Sequence, residues 1–164
     1  MATDLRPFAR IFALNTDLLL NATDGLHDDE ATRPVQPHTS SIAFLVAHLT
    51  DTRHYLAALA GQPSDNPLTK LLQDAKSSTD IREWPPLETL RGYWMSAGAH
   101  LAAVLPALGD EVLAARLERP LPGGDPTLLG GIAFATQHES YHLGQIAQLR
   151  RMLGHPAMSY RRRA

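Results

Sequence analysis

The sequence predicts an all-α fold, a four-helix bundle with long connections, and three observations lead there. Apolar residues recur at spacings of three and four along four long stretches. Strand-like alternation and β-branched runs are scarce, and each long stretch is bracketed by residues that start or stop helices. With 164 residues and 44% hydrophobic content, the chain can build one sizeable core but not two ordinary ones. Residues 1–164 are therefore expected to form a single domain.

The first helix is expected from about Leu5 to Asn21, "LRPFARIFALNTDLLLN", ending before Gly25. The second opens at Ser40 or Ser41, either a good N-cap, and continues as "IAFLVAHLTDTRHYLAALA" to Gly61. The third has Pro86 near its first turn and runs to Gly109 past a late Pro106. The fourth follows Asp125-Pro126 as cap and first turn, and reaches Gly154 with Pro156 beyond. Helices of this length imply an antiparallel bundle. Residues 62–85 and 110–124 are rich in Pro, Gly, Asp and Ser and exceed what tight turns need, so they are expected to lie across one end and help to wall a pocket.

Composition excludes several classes of function. A net charge of −2 and a pI near 6.4 give no global attraction for nucleic acid or an anionic membrane, and the basic end "SYRRRA" reads as a solvated terminus. No apolar run approaches a membrane span, and "MATDLRPFAR" lacks the apolar core of a signal peptide, so the expected location is cytoplasmic. With no cysteine, disulfides, thiolate nucleophiles and Cys-based zinc sites are all excluded, and any metal must be held by nitrogen and oxygen.

The stretch "HESYHLGQ" matches H-E-x-x-H at His138 and His142. Four residues on a helix place two imidazoles about 6 Å apart along the axis and about 40° around it, a spacing at which both reach one ion. A zinc protease also needs a ligand downstream, yet residues 143–164 contain no Asp or Glu, and position 148 is Gln. The third ligand must then come from upstream. His48 is best placed, in the middle of the second helix among Phe44, Leu45, Leu49 and Tyr55. His54 falls toward the flank of that helix, His155 beyond the end of the fourth, His27 and His38 in the first connection, and His100 in the third helix without a partner in sequence. Glu139 reads as a surface residue outside the site, and Gln145, on the histidine side of the helix, as a residue that orients a ligand or substrate. A ferritin-like dimetal site lacks a ligand, because the third helix has no acid after Glu88.

The pairing of "FLVAHLTDTRHYL" with "HESYHLGQIAQLRRMLGHP" resembles the DinB/YfiT-like superfamily of metalloenzymes, over nearly the whole chain. The resemblance implies a four-helix bundle, commonly a homodimer, with a divalent ion on His48, His138 and His142. Zinc and nickel head the candidate metals. It also implies a small-molecule substrate and, in many members, a low-molecular-weight thiol. The first expectation is a thiol-dependent S-transferase or detoxification enzyme, with a non-catalytic metal-binding bundle and a metal-dependent hydrolase as alternatives.

Overall fold

The computed structural model describes residues 3–73, 75 and 80–160. Residues 161–164, at the basic end, and part of the 62–85 connection lie outside them. Four long helices carry the fold: α1 (Arg6–Ala22), α3 (Ile42–Leu59), α5 (Leu87–Val104) and α7 (Leu128–Met152). Three short ones lie in the connections: α2 (Asp28–Thr32), α4 (Thr69–Leu72) and α6 (Asp110–Ala114). The described residues form no strand, only an isolated antiparallel bridge between Arg116 and Thr127.

Local chemistry sets the helix ends. Ser41, not Ser40, caps α3, its hydroxyl accepting from the Phe44 N–H at 3.2 Å. Thr127 caps α7 through the Gly130 N–H. The expected cap, Asp125, instead accepts from the backbone and hydroxyl of Thr127 and so shapes the turn before the helix. The α-helical part of α5 stops at Val104, and Pro106 falls in a 3-10 turn over Leu105–Ala107, where a missing N–H is tolerated.

Packing corrects the expected antiparallel arrangement. Around the bundle the order is α1, α7, α3, α5, so each of the first two long helices touches the last two. One apolar cluster joins Leu18–Ala22 of α1 to the start of α3, the start of α5 and the end of α7. The other joins Phe12 to the ends of α3 and α5 and to the start of α7. The directions are thus up, down, down, up, with α3 parallel to its neighbour α5. Two parallel neighbours need a connection that travels the length of a helix, about 27 Å for 18 residues. That is the task of residues 60–86, whose Leu68, Leu71, Leu72 and Trp84 pack on the first cluster.

Between the two apolar halves lies a polar layer built around one buried ion pair. Arg53 donates through Nε to Glu139 Oε1 at 2.6 Å and through Nη2 to Glu139 Oε2 at 3.0 Å, with both side chains 1% exposed. Its remaining donors reach the Thr16 hydroxyl at 2.8 Å and the Phe12 carbonyl at 3.0 Å. Asn15 donates to Glu139 Oε2 at 3.1 Å. The guanidinium lies 3.4 Å from the centre of the Trp94 ring, and Trp94 itself donates to the Thr16 carbonyl. Gly98 makes room for this layer, because a Cβ there would stand 2.5 Å from Arg53 Nη1. All four long helices meet at this level.

Candidate metal centre

The seam between α3 and α7 brings His48, His138 and His142 together. His138 Nε2 lies 3.2 Å from His48 Nε2 and 3.0 Å from His142 Nε2, and the three potential ligand atoms fall within 4.8 Å of one another. All three rings are half-buried. Among the described residues no fourth imidazole or carboxylate joins the group.

Three lone pairs aimed at one point repel unless a cation sits between them, and the spacing suits one. Metal–nitrogen bonds of about 2.05 Å in tetrahedral geometry hold two ligand nitrogens about 3.3 Å apart, close to the separations around His138. Gln145 prepares the donor set. Its Oε1 accepts from His142 Nδ1 at 2.6 Å, which places the proton on Nδ1 and leaves the Nε2 lone pair facing the cluster. His138 Nδ1 is buried with no hydrogen-bond partner among the described residues. Burial, reinforced by His142 and His48, pushes the His138 imidazole down to about 4, and burial followed by His142 lowers His48. Both are therefore neutral at pH 7, the state a metal ligand requires.

Aromatic rings surround the imidazoles. Phe44 stacks on His48 at 6.2 Å between centroids, Phe134 stacks on His138 at 5.6 Å, and Tyr141 meets His142 edge-on at 5.1 Å. Trp84, from the 62–85 connection, packs edge-on against Phe44. Beside His142 a groove of about 560 Å3 opens between α3 and α7, lined among others by Leu45, Tyr141, Gln145 and Leu149. Among the described residues its outer wall is His38–Ser40, from the first connection rather than from either of the long connections singled out in the sequence.

Several sequence expectations change here. Glu139 is fully buried, not a surface residue, and it faces Arg53 instead of the imidazoles, so it is no general base of an H-E-x-x-H site. His54 is buried rather than at the flank, with Nδ1 2.8 Å from the Ser64 hydroxyl. Tyr55, expected beside His48 in the interior, is exposed. His155 is half-buried and pairs with Glu30 at 2.9 Å, away from the histidine cluster. Sequence reasoning missed Arg53. The available signal was an arginine in the apolar stretch that also carries His48, since a buried guanidinium requires a carboxylate on a facing helix.

Comparison with known proteins agrees with this fold. The DinB superfamily model matches residues 11–146. A conserved protein of Enterococcus faecalis superposes with a TM-score of 0.77 at 14% identity, covering 92% of this chain and 97% of its own. YfiT from Bacillus subtilis, described as "a probable metal-dependent hydrolase with an unusual four-helix bundle topology", gives 0.68 at 17% identity over 92% of this chain and 87% of its own. The DinB-like protein YjoA of the same organism gives 0.69 at 16% identity over 96% and 100%. At these identities the likeness is one of fold. No curated protein matches significantly.

Proposed function

The chain belongs to the DinB superfamily, and from that premise we propose that it is a divalent-metal-dependent hydrolase whose ion is held by His48, His138 and His142. The observation that carries this reading is the convergence of three Nε2 atoms, one of them fixed as an acceptor by Gln145. Held by His48, His138 and His142, such an ion would supply Lewis-acid chemistry, polarising a carbonyl or activating water. The chain's own residues supply the rest. Gln145 holds the His142 ring, Phe44 and Phe134 keep water from the backs of His48 and His138, and the groove beside Tyr141 receives the substrate. The description of YfiT supports the same class of reaction.

Thiol-dependent transfer is the second reading, favoured by the imidazole donor set, which accepts a thiolate as readily as water. Low-molecular-weight thiols of the glutathione type carry carboxylates that a site ordinarily meets with Arg or Lys, and among the described residues the groove lining contains neither. We therefore place hydrolysis first. The test loads the chelated protein with zinc or nickel and assays neutral esters and amides beside thiol-acceptor pairs. Hydrolysis that appears with metal and is absent in His48→Ala supports the proposal. Turnover only with thiol present transfers it to the second reading, and metal binding with no turnover in either panel leaves a non-catalytic bundle.

A further inference from the structure

We propose that the groove beside His142 is the substrate's binding site, that it takes an uncharged acyl compound with an apolar arm, and that the Tyr141 hydroxyl donates the hydrogen bond that holds its carbonyl oxygen. The proposal rests on the hydrolytic reading above and names the substrate class for that site.

A directed chain of hydrogen bonds leads from the imidazoles to the groove. His142 Nδ1 donates to Gln145 Oε1 at 2.6 Å, which turns the amide so that Gln145 Nε2 donates to the Tyr141 hydroxyl oxygen at 3.3 Å. A hydroxyl that accepts from an amide still has its own proton to give. Tyr141 is 58% exposed and lines the groove, so that proton is available to an acceptor lying there. A carbonyl oxygen in this position would be held on the Nδ1 side of His142 by a donor whose orientation the cluster's own partner sets.

The rest of the lining selects against charge. Leu45, Leu149 and Met152 give an apolar surface, and Thr39, Ser40 and Gln148 add uncharged polar groups. Among the described residues no Asp, Glu, Lys or Arg belongs to the lining, and His38, at its exposed outer wall, is the one titratable side chain there besides Tyr141. A carboxylate or ammonium entering such a groove would lose hydration without gaining a counter-charge. A volume of about 560 Å3 lies within the range of small-molecule sites.

Gly144 supplies an independent observation. It sits inside α7, where glycine weakens a helix relative to alanine, yet a Cβ built there meets nothing within 4 Å. Neither core packing nor backbone geometry asks for glycine at this position. The space a side chain would take belongs to the groove that Gly144 lines. His38, on the opposite wall, holds a left-handed backbone at φ 69°, an uncommon conformation for a residue other than glycine and one found often at binding sites.

The test uses metal-free protein, so that binding is read apart from turnover, with 4-phenylbutyramide as the neutral probe and 4-phenylbutyrate as its charged isostere. Amide resonances of the protein should shift on adding the neutral probe, with the largest changes at Leu45, Tyr141 and Gln148, and the carboxylate should bind at least tenfold more weakly. Tyr141→Phe should weaken the amide by about three- to tenfold, the loss of one hydrogen bond, while zinc affinity stays within twofold. Gly144→Leu should abolish probe binding with no loss of melting temperature. Equal binding of the two probes, an unchanged Tyr141→Phe, a Gly144→Leu variant that still binds, or shifts centred elsewhere would each overturn the proposal. Probe binding as expected, with no ester or amide hydrolysis by the zinc-loaded protein, supports the groove and sinks the hydrolytic reading alone. Hydrolysis without selective probe binding does the reverse.

Discussion

Replacing Glu139 with alanine removes three hydrogen bonds at once, two from Arg53 and one from Asn15. The guanidinium, 1% exposed, then keeps only Thr16 and the Phe12 carbonyl as acceptors, and its Nε has no oxygen to meet. Breaking a buried pair from one side costs about 3–5 kcal/mol, because the surviving charge stays desolvated. In a chain of this size each kcal/mol corresponds to about 2–4 °C, so the melting temperature should fall by roughly 6–20 °C. Urea denaturation of the metal-free protein gives the free energy and a thermal scan the shift. Glu139→Gln, which keeps the shape and one acceptor oxygen, should lie between alanine and the wild type. A loss below about 1 kcal/mol for Glu139→Ala would refute this reasoning. So would undiminished stability combined with a hundredfold loss of zinc affinity, since the carboxylate would then be serving the metal centre.

Three further outcomes are expected. Gln145→Ala should weaken zinc binding by about 10- to 100-fold in competition with a chromophoric chelator, because His142 loses the partner that fixes its tautomer; unchanged affinity would assign that task elsewhere. Metal-free protein should lose stability as pH falls from about 6.5 toward about 4: unfolded His138 takes its proton near the ordinary value of 6.5 while the folded ring resists until about 4, so the unfolded state binds more protons across that window, and His48 acts in the same direction. Equal urea midpoints at pH 7 and pH 5 would contradict this. Gly98→Ala should destabilise by about 1–3 kcal/mol despite alanine's better helix propensity, since its Cβ would press on an Arg53 held by four hydrogen bonds and on Thr16 Oγ1 at 3.1 Å; a higher melting temperature would show that the guanidinium has room to move.

Periodicity and punctuation made the four long helices legible in the sequence, to within a few residues at most of their ends. Their directions were not legible, because helix length and loop composition say nothing of which end a connection returns to. The two apolar clusters show which helix ends meet, and Leu68, Leu71 and Trp84 place their part of the connection against the starts of α3 and α5. The histidine cluster was readable because i, i+4 spacing fixes two rings on one face and the apolar neighbours of His48 turn the third inward. Glu139 was misread because sequence spacing gives its angle relative to His138 but not what faces that angle. The groove was unreadable for a related reason: its outer wall, His38–Ser40, has no periodicity, and its place follows from the diagonal step between α1 and α3.

The ion pair and the histidine cluster are built from the same two helices: α3 gives Arg53 to the pair and His48 to the cluster, and α7 gives Glu139 to the pair and His138 and His142 to the cluster. On α7, His138 and Glu139 are consecutive and so about 100° apart, which directs one toward the α3 seam and the other into the core. On α3, His48 and Arg53 divide in the same way. A rotation of α7 by one residue would carry Glu139 into the imidazole cluster and strand Arg53, so the buried pair penalises the misregistered packing as well as stabilising the native one. Stability and registry can be separated experimentally. In Arg53→Met/Glu139→Leu no orphan charge remains and apolar volume fills the layer, so stability should return to within about 2 kcal/mol of the wild type. The constraint on helix rotation is nevertheless gone, and zinc affinity should fall by about tenfold or more, with a broader distribution of His138 environments in NMR spectra. If the double variant is stable and binds zinc as tightly as the wild type, apolar packing alone sets the rotation of α7, and the ion pair contributes nothing to the alignment of the imidazoles.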